Sequence, residues 1–315
     1  MIESPFRVLI ADYSSHAILL IDIPTGEVLN EIPYPSAIKP IAIAVTEDKK
    51  TAYIPAAKNG GCGILFALSL ETQSLYHLPV ELPHPVQFAL APGGRRAYLA
   101  GPDSTLYGLD LMSMELTTWG YMPEDCTCAG IAANDSEIYT VWEHEAGGTL
   151  AIFNRQGQLQ IQHPFTGTPT SITLTKQGLL VIPYTSAYSG EGVTLFRTIP
   201  ASNNCPAAIT LQCSYCARGV RVYPNHAAIS PDESTLYIVN EDSSSLSIIN
   251  ALQSDITGCI PIGHSLSQIA VSGDGCFAAG ASNAFADLCL IDLVNRRLLS
   301  ITDTTRELSG FLTAV

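Results

Sequence analysis

The phrase ISPDESTLYIVNEDSSSLSIINALQSDITGCIPIG, which begins at Ile229, recurs in degraded copies about every 42 residues along the chain. Each copy holds short apolar runs separated by turn residues. A unit of that length carrying four short strands is the pattern of a β-propeller blade. In six of seven copies the third run (AILLI, ILFAL, LYGL, LAIF, LSII or LCLI) stops at a short polar residue: Asp22, Ser69, Asp110, Asn154, Asn250 or Asp292. An oxygen-bearing side chain at that place accepts a hydrogen bond from backbone a little further on and closes the turn.

Spacing sets the blade count. First strands are expected at residues 40–46, 86–91, 128–133, 170–175, 226–230 and 266–272. Successive units lie about 40–46 residues apart, except for one gap of roughly 56 between the fifth and sixth. Before residue 40 stands a partial unit with second, third and fourth strands (7–11, 17–22 and 28–33) and no first. The chain ends on GFLTAV at 310–315, which resembles the first-strand text PIAIAV. The expectation is an all-β, seven-bladed propeller of four-stranded antiparallel blades. Its ring would be closed by the C-terminal strand, the first blade being built from 7–39 plus 308–315, since edge pairing demands a partner for both loose ends. Residues 1–315 are read as one domain, because an unbroken repeat overrides the prior from length.

The texts SPDESTLYIVN, LSIIN and ITGCIPIGHSLSQIAVSGDG resemble the YVTN-type repeat of bacterial seven-bladed propellers. RVLIADYSSHAILLIDIPTGEVLNEIPY is a second copy, with IDIPTGEV in the family's third-strand-to-turn position. Between first and second strands, where the family usually has Ser-Pro-Asp-Gly, this chain has TEDKK, APGGR, ANDSE, TKQG, SPDES and SGDG. The residues that carry the resemblance build turns and strand cores, so it speaks for fold and carries almost no chemistry.

Composition agrees with sheets buried on both faces: 47% of residues are hydrophobic and only 14% charged, and runs such as AILLIDI and LLVIP are continuous where a one-sided strand would alternate. Fifteen basic against 29 acidic side chains give a net charge of −14. That argues against nucleic acid, whose binding rests on clustered Lys and Arg, and against anionic membrane surfaces. No apolar stretch approaches the roughly 18 residues of a membrane span. The start MIESPFRVLIADYSS lacks a basic leader region and a small-residue cleavage site. With nine cysteines, an odd number, it suggests the cytoplasm and free thiols, or export if a leader has been removed.

In a propeller the second-to-third-strand loops and the blade-to-blade connections emerge at one face, around the mouth of the central channel. The unusual residues map there. The loops include 13–16, 56–63, 142–148, 183–192 and 240–245, and the connections include 122–129 and 213–226. Candidate ligand-binding residues on this face are His16, Asp125, Glu143, His144, Arg218, Arg221, His226, Glu241, Asp242 and His264, with His84 beside them. Each alone suits a solvated loop; their joint presence points to a site without naming its ligand.

Three clusters stand out. Glu143-His144-Glu145 offers metal or acid–base groups, although adjacent residues of an extended segment point to opposite sides. Cys126-x-Cys128 and Cys213-x-x-Cys216 offer four thiols, without the local spacing of a zinc knuckle. The stretch 201–225 is the longest departure from the repeat and carries Arg218 and Arg221, which suit an anionic group. Walker, dinucleotide, nucleophile-elbow, H-E-x-x-H and haem-attachment motifs are absent. The expectation is therefore a monomeric binding or scaffold propeller, without metal or cofactor, that engages a protein, peptide or small ligand at the channel mouth. Two alternatives come from the resemblance: a sugar-lactone hydrolase, since similar propellers include such enzymes, and a subunit of an amine-oxidising complex. His226, His264, Glu143, Arg218 and Arg221 are the groups that lactone hydrolysis would draw on.

Overall fold

A computed structural model describes residues 6–59, 61–122, 125–186, 190–199, 208–217, 222–282, 287–304, 306 and 308–315. Seven antiparallel sheets form the blades of a seven-bladed β-propeller, and no helix occurs among the described residues. None is therefore long and apolar enough to cross a membrane. The blades fall into two compact units, Met1–Ser36 with Val220–Val315, and Ala37–Gly219.

The first unit holds the first, sixth and seventh blades. In the first blade Leu308–Ala314 pairs with Arg7–Asp12, followed outward by Ala17–Asp22 and Glu27–Pro33. Val8 stands opposite Ala314, Leu9 opposite Thr313 and Ile10 opposite Leu312. The last strand of the chain thus supplies the strand that the opening unit lacks. The sixth blade is Pro224–Ile229, Thr235–Asn240, Ser245–Asn250 and Asp255–Pro261; the seventh is Gln268–Val271, Phe277–Ala281, Asp287–Asp292 and Arg297–Asp303.

The second unit holds the other four. The third blade is Gln87–Leu90, Arg96–Ala100, Thr105–Asp110 and Glu115–Tyr121; the fourth is Thr127–Ala133, Glu137–His144, Gly147–Asn154 and Leu159–Phe165. In the second and fifth blades the first strand is broken. Ile38–Pro40 and Ala44–Val45 both pair with Thr51–Lys58, while Thr168–Pro169 and Thr173–Leu174 both pair with Leu179–Thr185. A proline has no N–H to give the ladder, and each gap lies at one, Pro40 or Pro169. The continuous first strands expected at 40–46 and 170–175 are corrected accordingly.

Within each unit the core packs between neighbouring blades. Val8, Ile10, Leu19 and Ile21 meet Ala279, Ala281 and Leu290 of the seventh blade. Tyr98, Ala100 and Leu106 of the third blade meet Ile138, Trp142 and Phe153 of the fourth. Leu9, Ile18 and Leu20, which point to the other face of the first blade, are buried as well. This two-sided burial is why the middle strands read as unbroken apolar runs. Fourth strands such as Glu27–Pro33 alternate between exposed residues and half-buried or buried ones.

Two local expectations change. Residues 142–148 are a tight hairpin, with Glu143 opposite Gly148 and His144 opposite Gly147, and Trp142 is a fully buried core residue. Much of the stretch 201–225 is the fourth strand of the fifth blade, Ala208–Ala217, so Cys213 and Cys216 pair with Leu195 and Gly192 inside a sheet rather than lying on a connection.

Candidate functional site

Because each blade is an antiparallel meander, its second-to-third-strand loop and its incoming connection leave from the same end of the sheet. In the first unit that end carries His16, His226, Glu241, Asp242 and His264, each held by a different device.

His16 sits at φ 53°, in the left-handed region, where the loop turns back into Ala17–Asp22. Its carbonyl accepts the Tyr34 N–H at 2.8 Å, and its ring meets the Tyr34 ring edge-on at 6.0 Å. Tyr34 donates its hydroxyl to the Asp12 carbonyl at 3.1 Å. Below lies a group that the sequence did not single out. The fully buried Asp12 carboxylate accepts from the Ser14 N–H and hydroxyl, the Ser15 hydroxyl and Arg306. Burial pushes its pKa up, but the two serines and Arg306 together hold it below the usual carboxylate value.

The sixth blade supplies the next group. Its first strand bulges between Pro224 and His226, opposite Asn240 and Val239. The Asn225 amide donates to Glu241 Oε2 at 2.8 Å. The backbone N–H groups of Glu241 and Asp242 donate to Tyr223 and Val222, which pins the loop to the incoming connection; Asp242 itself is exposed. His226 is half-buried, and its Nδ1 is sealed from solvent without a hydrogen-bond partner. Desolvation drops its pKa to about 4, so the ring is neutral near pH 7. On the connection to the seventh blade, His264 Nδ1 lies 3.1 Å from Asp287 Oδ2, at the start of that blade's third strand.

In the second unit the candidates stay apart. Asp125 is exposed at φ 74°, beside the buried Cys126. Glu143 is paired in the ladder between Thr127 and Gly148, and His144 Nε2 lies 3.1 Å from Thr149 Oγ1. His84, like His226, has a solvent-sealed Nδ1 without a partner. Arg218 and Arg221 lie outside the described residues. Among the described residues no hydrogen bond or ion pair joins one sequence-chosen candidate to another, and no three His, Cys, Asp or Glu side chains meet as a cation site. The buried Cys128 thiol is pushed up to about 12 by desolvation, the opposite of the lowered value that a thiolate ligand or redox cysteine needs. Six described cysteines are free thiols.

No family model matches the chain, and no curated protein does. Solved structures do match. A functionally unknown protein from Desulfotomaculum acetoxidans is 15% identical with a TM-score of 0.75, covering 99% of both chains. The periplasmic gluconolactonase of Pseudomonas aeruginosa is 13% identical, also with a TM-score of 0.75 and 99% of both chains covered. Hydrazine synthase of Kuenenia stuttgartiensis is 15% identical with a TM-score of 0.67, covering 89% of this chain and 90% of that one. At such identities the likeness is one of fold.

Proposed function

We propose that this chain is a binding propeller of the YVTN-repeat type, engaging a protein, peptide or small ligand at the blade ends that carry the second-to-third-strand loops. The carrying observation is His226. A buried imidazole nitrogen without a partner costs about 1–3 kcal/mol, and His226 directly follows Asn225, whose amide holds Glu241 at the loop end of the sixth blade. Because Nδ1 is sealed, a ligand would satisfy it only by shifting the ring or the groups that cover it. With a pKa of about 4, His226 is a poor general base, since acid–base catalysis wants a value near the working pH. That favours recognition over hydrolysis at this residue.

One contact favours a second reading, sugar-lactone hydrolysis. The Asp287 carboxylate on His264 Nδ1 is how an orienting acid holds a histidine base, with Nε2 left to act on water.

The two readings separate experimentally. Thermal-shift screening with peptides and small metabolites, followed by amide chemical-shift mapping of hits, should perturb residues 13–16, 225–226 and 241–244. His226→Phe should weaken such a hit at least tenfold. Hits that map only to the opposite ends of the blades would overturn the binding reading. Turnover of gluconolactone above the buffer rate, abolished in His264→Ala, would replace it with the second.

A further inference from the structure

At the other end of the blades, within the second unit, the third and fourth blades border a cleft of about 210 Å³. Its floor is one cross-strand row of the third blade: Arg96 stands opposite Asp110, and Asp110 opposite Glu115. Trp119 lies further along the same fourth strand, at a bulge in the pairing between Leu106 and Tyr107. Arg155, on the third-to-fourth-strand turn of the fourth blade, also lines the cleft.

Two glycines make the indole's place. A Cβ on Gly108 would come within 2.3 Å of Trp119 Cζ2, and one on Gly157, at φ 77°, within 2.3 Å of its Cβ and Cγ. No side chain fits at either position, so the indole lies between its own sheet and the neighbouring blade's turn. Tyr98 braces it, with ring centroids 5.2 Å apart. Burial raises the Tyr98 hydroxyl's pKa, while the Arg96 and Arg155 charges and a hydrogen bond with Arg96 act to lower it. The only ion pair that Arg155 makes among the described residues is a loose one, 3.5 Å to an Asp135 side chain that is 85% exposed. Arg96 forms no ion pair within 4 Å among the described residues; it hydrogen-bonds Tyr98 and its charge helps to lower the pKa of Asp110.

Two guanidiniums, two carboxylates and an indole therefore line one small space. A simple anion would meet Asp110 and Glu115, and a simple cation would meet both arginines. A dipolar molecule gives each charge its complement. The volume lies below the roughly 300–1,000 Å³ of pockets for drug-sized ligands, which suits a small metabolite. We propose that this cleft binds a small zwitterion of the α-amino-acid class, with its carboxylate toward Arg96 and Arg155, its ammonium toward Asp110 and Glu115, and an apolar side chain beside Trp119. This site is independent of the loop-end reading above.

Trp119 is its own reporter, since the chain has two tryptophans and the other, Trp142, is fully buried. Intrinsic fluorescence of the full chain would be titrated with L-leucine and L-phenylalanine. Parallel titrations would use 4-methylpentanoate, which keeps only the carboxylate, and 3-methylbutylamine, which keeps only the ammonium. The expected result is a saturable response to an amino acid that is at least tenfold weaker for either single-charge analogue. It should be lost in the Arg96→Gln/Arg155→Gln double variant and weakened in Glu115→Gln, with melting temperatures checked alongside. The proposal is overturned if neither amino acid gives a saturable response by fluorescence and by amide shifts, or if an analogue binds as well. Retention of binding in the folded double variant would overturn it too.

Discussion

Arg306 and Asp12, 294 positions apart in the chain, meet with Nη1 3.1 Å from Oδ2, and the second guanidinium nitrogen of Arg306 reaches Glu31 Oε1 at 2.5 Å. The cation stands just before the closing strand, and the buried carboxylate ends the strand with which it pairs. Backbone pairing and a partly buried charge pair thus tie the chain's two ends at one place.

Replacing Arg306 by Gln should leave a buried carboxylate short of its cation, at a cost of about 2–4 kcal/mol near pH 7. Asp12 is held below the usual carboxylate value, so its contribution is complete above the unfolded pKa of about 4 and is lost as pH falls through the lower folded value. Urea unfolding at pH 7 and pH 3 checks both points. Equal stability of variant and wild type at pH 7 would remove the latch.

His226 should set a second acid limb. Its folded pKa of about 4 lies below the unfolded 6.5, so its contribution is whole above pH 6.5 and falls away toward pH 4 as the unfolded state takes up the proton. The shift corresponds to of order 3 kcal/mol. Comparison of unfolding at pH 7 and 4.5 should show a smaller acid loss in His226→Phe than in wild type; identical losses would reject the assignment.

Asn250 Oδ1 accepts the N–H groups of both Leu252 and Gln253. Asn250→Ala should cost about 0.5–2 kcal/mol, and Asn250→Asp should restore most of it, because the acceptor survives. If the two variants melt together, the side chain does not close the turn.

That turn is where the sequence was most legible. Asp110 accepts from Met112 and Ser113, Asn154 from Gln156 and Gln158, and Asp292 from Asn295, as their position after each third strand implied. Such residues act on neighbours in the chain, so a one-dimensional pattern reveals them. Ala208–Ala217 was hidden because a fourth strand is a half-exposed edge, and ITLQCSYC lacks the apolar run that marks buried strands. Described candidates such as His226 and His264 stand at the loop ends of their blades, but the groups that hold the candidates, Asn225 on Glu241 and Asp287 on His264, were not foreseen, and neither was the Asp12–Arg306 pair. The cleft at Trp119 was invisible for the same reason. Arg96, Asp110, Glu115 and Arg155 all flank turns that the repeat itself explains, and only cross-strand register and blade packing bring them to one space.

The closing strand offers the sharpest test of architecture. Deleting Leu308–Val315 removes Leu308 and Leu312 from the core that they share with Ile10, Leu19 and Leu290. At about 1.5–3 kcal/mol for each fully buried leucine side chain, those two alone are worth several kcal/mol. The deletion also strips the Arg7–Asp12 edge of its backbone partners, leaving N–H and C=O groups unpaired beside an apolar surface. A frayed terminus would cost almost nothing. Thermal melts should therefore show a drop of ten degrees or more, or a chain that fails to fold. If the shortened chain melted within a degree or two of the full one, the strand would contribute no closure, and the first blade would be stable with three strands.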